Sequence, residues 1–143
     1  MDVPSADAQS WITKSANGSV QVLVWDYSPQ VPPDGQNDQT YYKQDLPAQD
    51  KGKLHLTLSH AANGTYGLQM FRIGYKVNDA YSDYLAMGAP AQLTRQQVNT
   101  LKQKDSGAEI LKDIVQVKDG TFSCTLPLRT NDVYLLVLSR TGE

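Results

Sequence analysis

The sequence predicts an all-β domain, a two-sheet antiparallel sandwich with one or two short helices inserted. Three observations carry this. Turn-forming pairs, Asn17-Gly18, Asn63-Gly64 and Asp119-Gly120, recur between strand-like runs, and Asn131-Asp132 offers a fourth reversal. Asn or Asp followed by Gly supplies the positive φ that a two-residue type I′ turn needs at both central positions. The runs between these turns alternate apolar and polar residues, the mark of half-buried strands. Finally, 143 residues suffice for one self-supporting core but hardly for two. The whole of 1–143 is therefore expected to be one domain.

Taken in order, the first hairpin joins 10–15 to 20–27. In its second strand Val20, Val22 and Val24 point one way while Leu23, Trp25 and Tyr27 point the other. Apolar residues on both faces predict a central strand, with Trp25 placed in the inter-sheet core. The second hairpin joins 53–60, where Leu54, Leu56 and Leu58 alternate with polar residues, to 65–75. There the apolar phase switches from Tyr66, Leu68 and Met70 to Phe71, Ile73 and Tyr75, so a β-bulge is expected near Met70-Phe71. The third hairpin joins 110–118 to 121–128, with Phe122, Cys124, Leu126 and Leu128 on one side. The last strand, 133–139, is apolar on both faces and should be central. Seven strands at hairpin spacing resemble the immunoglobulin or fibronectin arrangement.

Helical signals interrupt this pattern over about 80–104. Thr94 with Gln97 reads as a capping box, and Leu93 can staple onto Val98. Residues 80–87 form an earlier turn or two that ends at Gly88, and Pro90 keeps the two helices apart. The stretch 29–51 is polar, carries prolines and shows no strand pattern, so it is expected to be a long loop.

Composition excludes several functions. The formal net charge is -2 and the cations are scattered, so no basic stripe could neutralise a run of phosphates, and no nucleic-acid partner is expected. No apolar run approaches the ~20 residues that cross a bilayer, and the first residues lack the basic and apolar regions of a signal peptide, so no membrane partner is expected. The single cysteine, Cys124, cannot close an internal disulfide and reads as a small buried hydrophobe. His55 and His60 face opposite sides of a strand and its end, poor geometry for sharing a metal. The acidic loop from Asp34 to Asp45 places Gln39 where a calcium loop needs glycine. No nucleophile elbow exists, and no pair of acids stands out for glycoside hydrolysis. Catalytic residues, metal and cofactor are all expected to be absent.

Aromatics are the informative class. Tyr41, Tyr42 and Trp11 fall in loops or near strand ends, where rings stack on sugars in carbohydrate-binding modules, and these three are the candidate sugar contacts. Tyr81 and Tyr84 either pin the helical segment down or face a partner.

Several segments together resemble the C-terminal sandwich of family 39 glycoside hydrolases, the β-xylosidases and α-L-iduronidases. The strand Val20-Gln21-Val22-Leu23-Val24-Trp25-Asp26-Tyr27-Ser28 is similar to one that follows the catalytic barrel in that family. Gly64-Thr65-Tyr66 with Phe71-Arg72-Ile73 resembles the next hairpin. Most specific is Asn78-Asp79-Ala80-Tyr81-Ser82-Asp83-Tyr84-Leu85-Ala86-Met87-Gly88-Ala89-Pro90, which resembles the family's Asn-x-Tyr-x-x-Trp/Tyr-x-x-Met-Gly-x-Pro segment and precedes a Leu-Thr-x-x-Gln helix. Leu126-Pro127-Leu128 and the closing strand also fit. The family's catalytic glutamates lie on its barrel, one in an Asn-Glu pair. This sequence contains no Asn-Glu, and a barrel of ~250 residues could not fit.

The resemblance implies a non-catalytic accessory domain of a β-xylosidase-like enzyme in xylan or glycan degradation. Its partner would be a catalytic (β/α)8 barrel, met through Tyr81, Tyr84, Met87 and Pro90, with a supporting role at the substrate entrance. The alternative is a module that binds xylan or a related polysaccharide through Tyr41, Tyr42 and Trp11. A protein-binding immunoglobulin-like domain is a third possibility. Action on a polysaccharide would favour a secreted or periplasmic location.

Overall fold

The computed structural model of the chain describes residues 9–28 and 45–141. Seven strands and two helices follow one another: β1 (Gln9–Lys14), β2 (Val20–Trp25), β3 (Asp50–Leu58), β4 (Gly64–Ile73), α1 (Ala80–Ala86), α2 (Arg95–Lys104), β5 (Leu111–Val117), β6 (Phe122–Arg129) and β7 (Val133–Arg140). The strands form a five-stranded sheet, β1-β2-β7-β4-β5, and a two-stranded sheet, β3-β6, with antiparallel pairing throughout. The predicted sandwich is borne out.

The core is the facing pair of alternating stripes. Val20, Val22 and Val24 of β2, Tyr134, Leu136 and Leu138 of β7, and Tyr66, Leu68 and Met70 of β4 come from the large sheet. Leu54, Leu56 and Leu58 of β3 meet them with Phe122, Leu126 and Leu128 of β6. Burying an aliphatic or aromatic side chain is worth about 1.5–3 kcal/mol, so this cluster is the main source of stability. Cys124 is half-buried against the cluster, and burial pushes its thiol up to about 11.

The strand pairing corrects the sequence reading. The β1–β2 hairpin forms as expected, but β3 pairs with β6 rather than β4, and β5 pairs with β4 rather than β6. The links at Asn63-Gly64, Asp119-Gly120 and Asn131-Asp132 therefore fold the chain from one sheet over to the other. Asp119 and Gly120 do take positive φ and close the bridge Lys118↔Thr121, after which the strands part. Folding over puts the apolar stripes of consecutive strands opposite each other across the core, which an in-sheet hairpin would not do.

Three further expectations fail. No register shift interrupts β4, which is paired with β5 from Gly64 to Met70 and with β7 from Tyr66 to Ile73. Its second apolar set simply occupies the outer face, since Phe71 pairs with Leu135 and Ile73 with Val133. The irregularity lies instead in β3, between Asp50 and Lys53, so strand structure begins inside the expected 29–51 loop. Trp25 also leaves the core: the valines of β2 fill it, and Trp25 stands half-buried on the outer face with its indole N–H donating to Gln9 Oε1 at 2.8 Å. Tyr27, just past the strand, is 71% exposed.

Both helices appear where the caps predicted them. Thr94 and Gln97 make a full capping box, and Gly88 takes φ 87 just after α1. Together they form an insertion between β4 and β5.

Candidate functional site

At one end of the large sheet, β2, β4 and the β6–β7 turn finish side by side, and α1 starts beside them. A cleft of about 620 Å³ opens there, flanked by Tyr27, Ile73, Tyr75 and Tyr81 and by residues 45–48.

A polar network holds several of the residues that line the cleft, among them Gly74, Tyr75 and Asn131. Asp132 is fully buried in the turn that leads into β7. Its Oδ2 accepts from Arg72 Nη2 at 2.5 Å and from the Arg129 backbone N–H at 2.8 Å, while Oδ1 accepts from Arg129 Nη2 at 3.3 Å. Arg129 also donates to the Tyr75 carbonyl at 2.9 Å, and the Arg72 guanidinium lies 5.1 Å from the Tyr134 ring centre. Gly74 is packed so closely that a Cβ there would fall 2.1 Å from Asp132 Oδ1. Glycine is required at that position for space, not for its dihedral angles.

Beside it, buried Asp26 accepts from Lys51 Nζ at 2.6 Å, Ser28 Oγ at 2.8 Å and the Asn131 N–H at 3.0 Å. Burial alone would raise its pKa, but these donors, Lys51 foremost, outweigh burial and hold the carboxyl below the ordinary carboxylate value. Asp79 behaves alike. Burial opposes ionisation, yet the Ser82 hydroxyl and the N–H groups of Lys76, Ser82 and Tyr81 hold it low while it caps α1. Asp105, the C-cap of α2, is the exception, raised by burial and by the charge of Asp83.

One side chain clamps the helical insertion at its root. Asn78 donates through Nδ2 to the Arg72 carbonyl at 2.9 Å, and its Oδ1 accepts from the Gly107 N–H at 3.2 Å. The chain leaving β4 is thereby tied to the chain returning toward β5. Lys104 joins α2 to α1 through Asp83 at 2.7 Å.

The predicted residues are distributed unevenly over this geometry. Tyr81 flanks the cleft and is 38% exposed. Tyr84 is half-buried, with its ring centre 6.4 Å from that of Tyr81 and its hydroxyl donating to the Pro90 carbonyl at 3.1 Å. Met87 and Pro90 are half-buried. Trp11 is 68% exposed on β1, on the outer sheet face and away from the cleft. Tyr41 and Tyr42 lie outside the described residues. Sequence reasoning missed Tyr27, Ile73 and Tyr75 as cleft residues; the signal for Ile73 and Tyr75 is the outward apolar phase of β4, and for Tyr27 the second apolar face of β2.

Chemically the arrangement offers rings and engaged polar groups. Among the described residues no cluster of His, Cys, Asp or Glu has the makings of a metal centre. His55 pairs across the small sheet with Thr125 at 3.0 Å.

No protein-family model matches the chain, and no curated protein does. Among solved structures it is similar to the GH39 enzyme from Xanthomonas axonopodis pv. citri, at 33% identity and TM-score 0.81, over 92% of this chain and 26% of that one. It is similar to a monomeric β-xylosidase from Caulobacter crescentus at 27% identity and TM-score 0.82, over 94% and 26%. The bacterial orthologue of human α-L-iduronidase shares the fold, with TM-score 0.70 at 14% identity. The resemblance to the sandwich of family 39 glycoside hydrolases is therefore borne out. The chain spans about a quarter of the length of these enzymes.

Proposed function

We propose that the chain is a non-catalytic accessory sandwich of a β-xylosidase-like glycoside hydrolase, packing against a catalytic barrel and supporting its substrate entrance. One observation carries this reading: a 33% identical enzyme matches nearly all of this chain with only 26% of its own. In such an enzyme three quarters of the polypeptide lies elsewhere, with room for the barrel that this chain lacks. The segment 81–90 and the cleft beside it are the contact on this reading. A short aromatic helix clamped to the sheet by Asn78 adds little to the sandwich core but offers a shaped, partly apolar surface.

The direct test is an aryl β-xyloside assay on the purified chain. Hydrolysis should stay at the buffer rate; turnover by the chain would sink the proposal. A second reading, a xylan-binding module, draws on the exposure of Trp11. Affinity electrophoresis in xylan gels separates the two. Unretarded migration supports the accessory role, whereas retardation abolished by Trp11→Ala supports sugar binding.

A further inference from the structure

We propose that the outer face of the five-stranded sheet is the surface on which the catalytic portion of the enzyme docks, an inference that rests on the accessory reading above. The sheet register builds this face in cross-strand rows. One row runs Trp11, Leu23, Leu135 and Phe71 across four strands. Ile110, whose N–H donates to the Met70 carbonyl at 2.7 Å, continues it toward β5. The adjoining row runs Gln9, Trp25, Val133 and Ile73. Neither row contains a charge, and the only polar side chain, Gln9, is engaged by the Trp25 indole. Both tryptophans of the chain stand here.

The band has an edge. The next row, Thr13, Gln21, Val137, Gln69 and Lys112, is polar except for Val137. An aromatic-anchored apolar centre with a polar rim is the anatomy of a protein interface. Monomeric domains rarely leave a contiguous patch of this kind in water, and Ile73 is 58% exposed. The two-stranded sheet covers the opposite, inner face, so it gives this one no cover.

The occupant follows from two observations and from the accessory reading. In enzymes that match this chain, about three quarters of the polypeptide lies outside the matching region. On the accessory reading that portion precedes the sandwich, and β1 enters the sheet at Gln9, within the band itself. The band is also continuous with the cleft through Ile73, so one body could cover both. A polysaccharide fits less well. Sugars bring hydroxyls that need partners beside each stacking ring, and aliphatic neighbours supply none.

The test places this chain in the monomeric Caulobacter β-xylosidase in exchange for the matching quarter, and keeps a chimera that retains turnover. Hydroxyl-radical footprinting then compares the chimera with the chain alone. Modification of Trp11 and Ile73 should fall about fivefold or more in the chimera, as for residues at the dry centre of an interface, while His55 on the far sheet stays unchanged. Protection confined to 81–90 overturns this inference and leaves the accessory reading intact. Protection nowhere overturns both. Protection in the chain alone that rises with its own concentration assigns the face to a second copy, and protection by added xylan assigns it to sugar; either result overturns the proposal. As a second measurement, Trp11→Lys with Ile73→Lys should leave the melting of the chain alone unchanged and split the melting of the chimera into two transitions. A single unaltered transition counts against docking.

Discussion

Replacing Asp132 by Asn keeps the shape of the side chain and removes its charge. Asp132 is completely buried, and its partners Arg72 and Arg129 retain side-chain exposures of only 13% and 27%. The backbone bonds of the turn, Asp132 N–H to the Arg129 carbonyl at 3.1 Å and Asp26 N–H to the Asp132 carbonyl at 2.9 Å, survive the change. The amide oxygen can occupy the position of Oδ2, but the amide nitrogen must then face Arg129 Nη2, donor against donor. Removing one partner of a buried ion pair costs about 3–5 kcal/mol, mostly because the other charge stays buried. Arg129 can turn toward water, whereas Arg72 is held over Tyr134 and its Nε has no partner among the described residues. The lower end, about 3 kcal/mol, is therefore expected. For a chain of this size that corresponds to a melting temperature lower by roughly 10 °C. With a urea slope near 2 kcal/mol/M it corresponds to a midpoint lower by about 1.5 M. Urea unfolding at neutral pH, followed by circular dichroism, is the assay. Loss of less than about 1 kcal/mol would mean that water already reaches Arg72, and the account of a dry network would be wrong.

Gly74→Ala attacks the same network from the other side. Its Cβ would sit 2.1 Å from Asp132 Oδ1, so overpacking should cost about 1–3 kcal/mol, and the double variant with Asp132→Asn should cost less than the two combined; strict additivity would deny the contact. The lowered Asp26 pKa makes stability depend on acid. The folded value lies below the unfolded 3.8, so this contribution is complete above the unfolded value and disappears as pH falls through the folded one. Urea midpoints measured from roughly pH 6 to pH 2 should fall less steeply for Asp26→Asn than for the parent chain, and parallel curves would contradict the assignment. Asn78→Ala cuts both bonds of the root clamp, so amide exchange in α1 and α2 should quicken about tenfold while the sandwich unfolds at nearly the same midpoint; unchanged exchange would show that other contacts hold the insertion.

What could be read from the sequence was local. Alternation marked Leu54, Leu56 and Leu58 as inner residues, the Thr94–Gln97 box marked the start of α2, and Asn17-Gly18 marked a true hairpin. Pairing was not legible, because an in-sheet hairpin and a link between sheets use the same ingredients, two alternating strands and a tight turn. The choice between them is made by long-range packing, which brings β3 to β6 and β4 to β7. The apolar outer set Phe71, Ile73 and Tyr75 was misassigned for a related reason. Along the chain, an apolar outer face and a bulge that shifts one apolar face leave the same trace, and only the unbroken register of β4 against β7 separates them. Tyr27 and Ile73 line one cleft only because β2 and β4 both flank β7, a fact of register with no local trace.

The engagement of the polar groups also bears on what the cleft can bind. Asp45 Oδ2 accepts from the Tyr75 hydroxyl at 2.9 Å, Asn131 Oδ1 from the Ser28 N–H at 3.0 Å, and Thr130 Oγ1 from the Gln49 N–H at 2.9 Å. Asn78 is occupied at both ends of its amide, and Asp79 is committed to capping α1. A sugar arriving here would have to break such bonds to satisfy its own hydroxyls, and each exchange returns little net energy. A protein surface faces no such demand, because it can lay apolar and aromatic groups against Tyr27, Ile73 and Tyr81 and leave the network intact. The carboxylates that might have suggested chemistry are thus fixed as anchors, with Asp26 and Asp79 both held in the ionised form. Their engagement ties down the end of the sandwich, and together with the uncharged sheet face beside it, that supports the proposal of a folded partner rather than a polysaccharide.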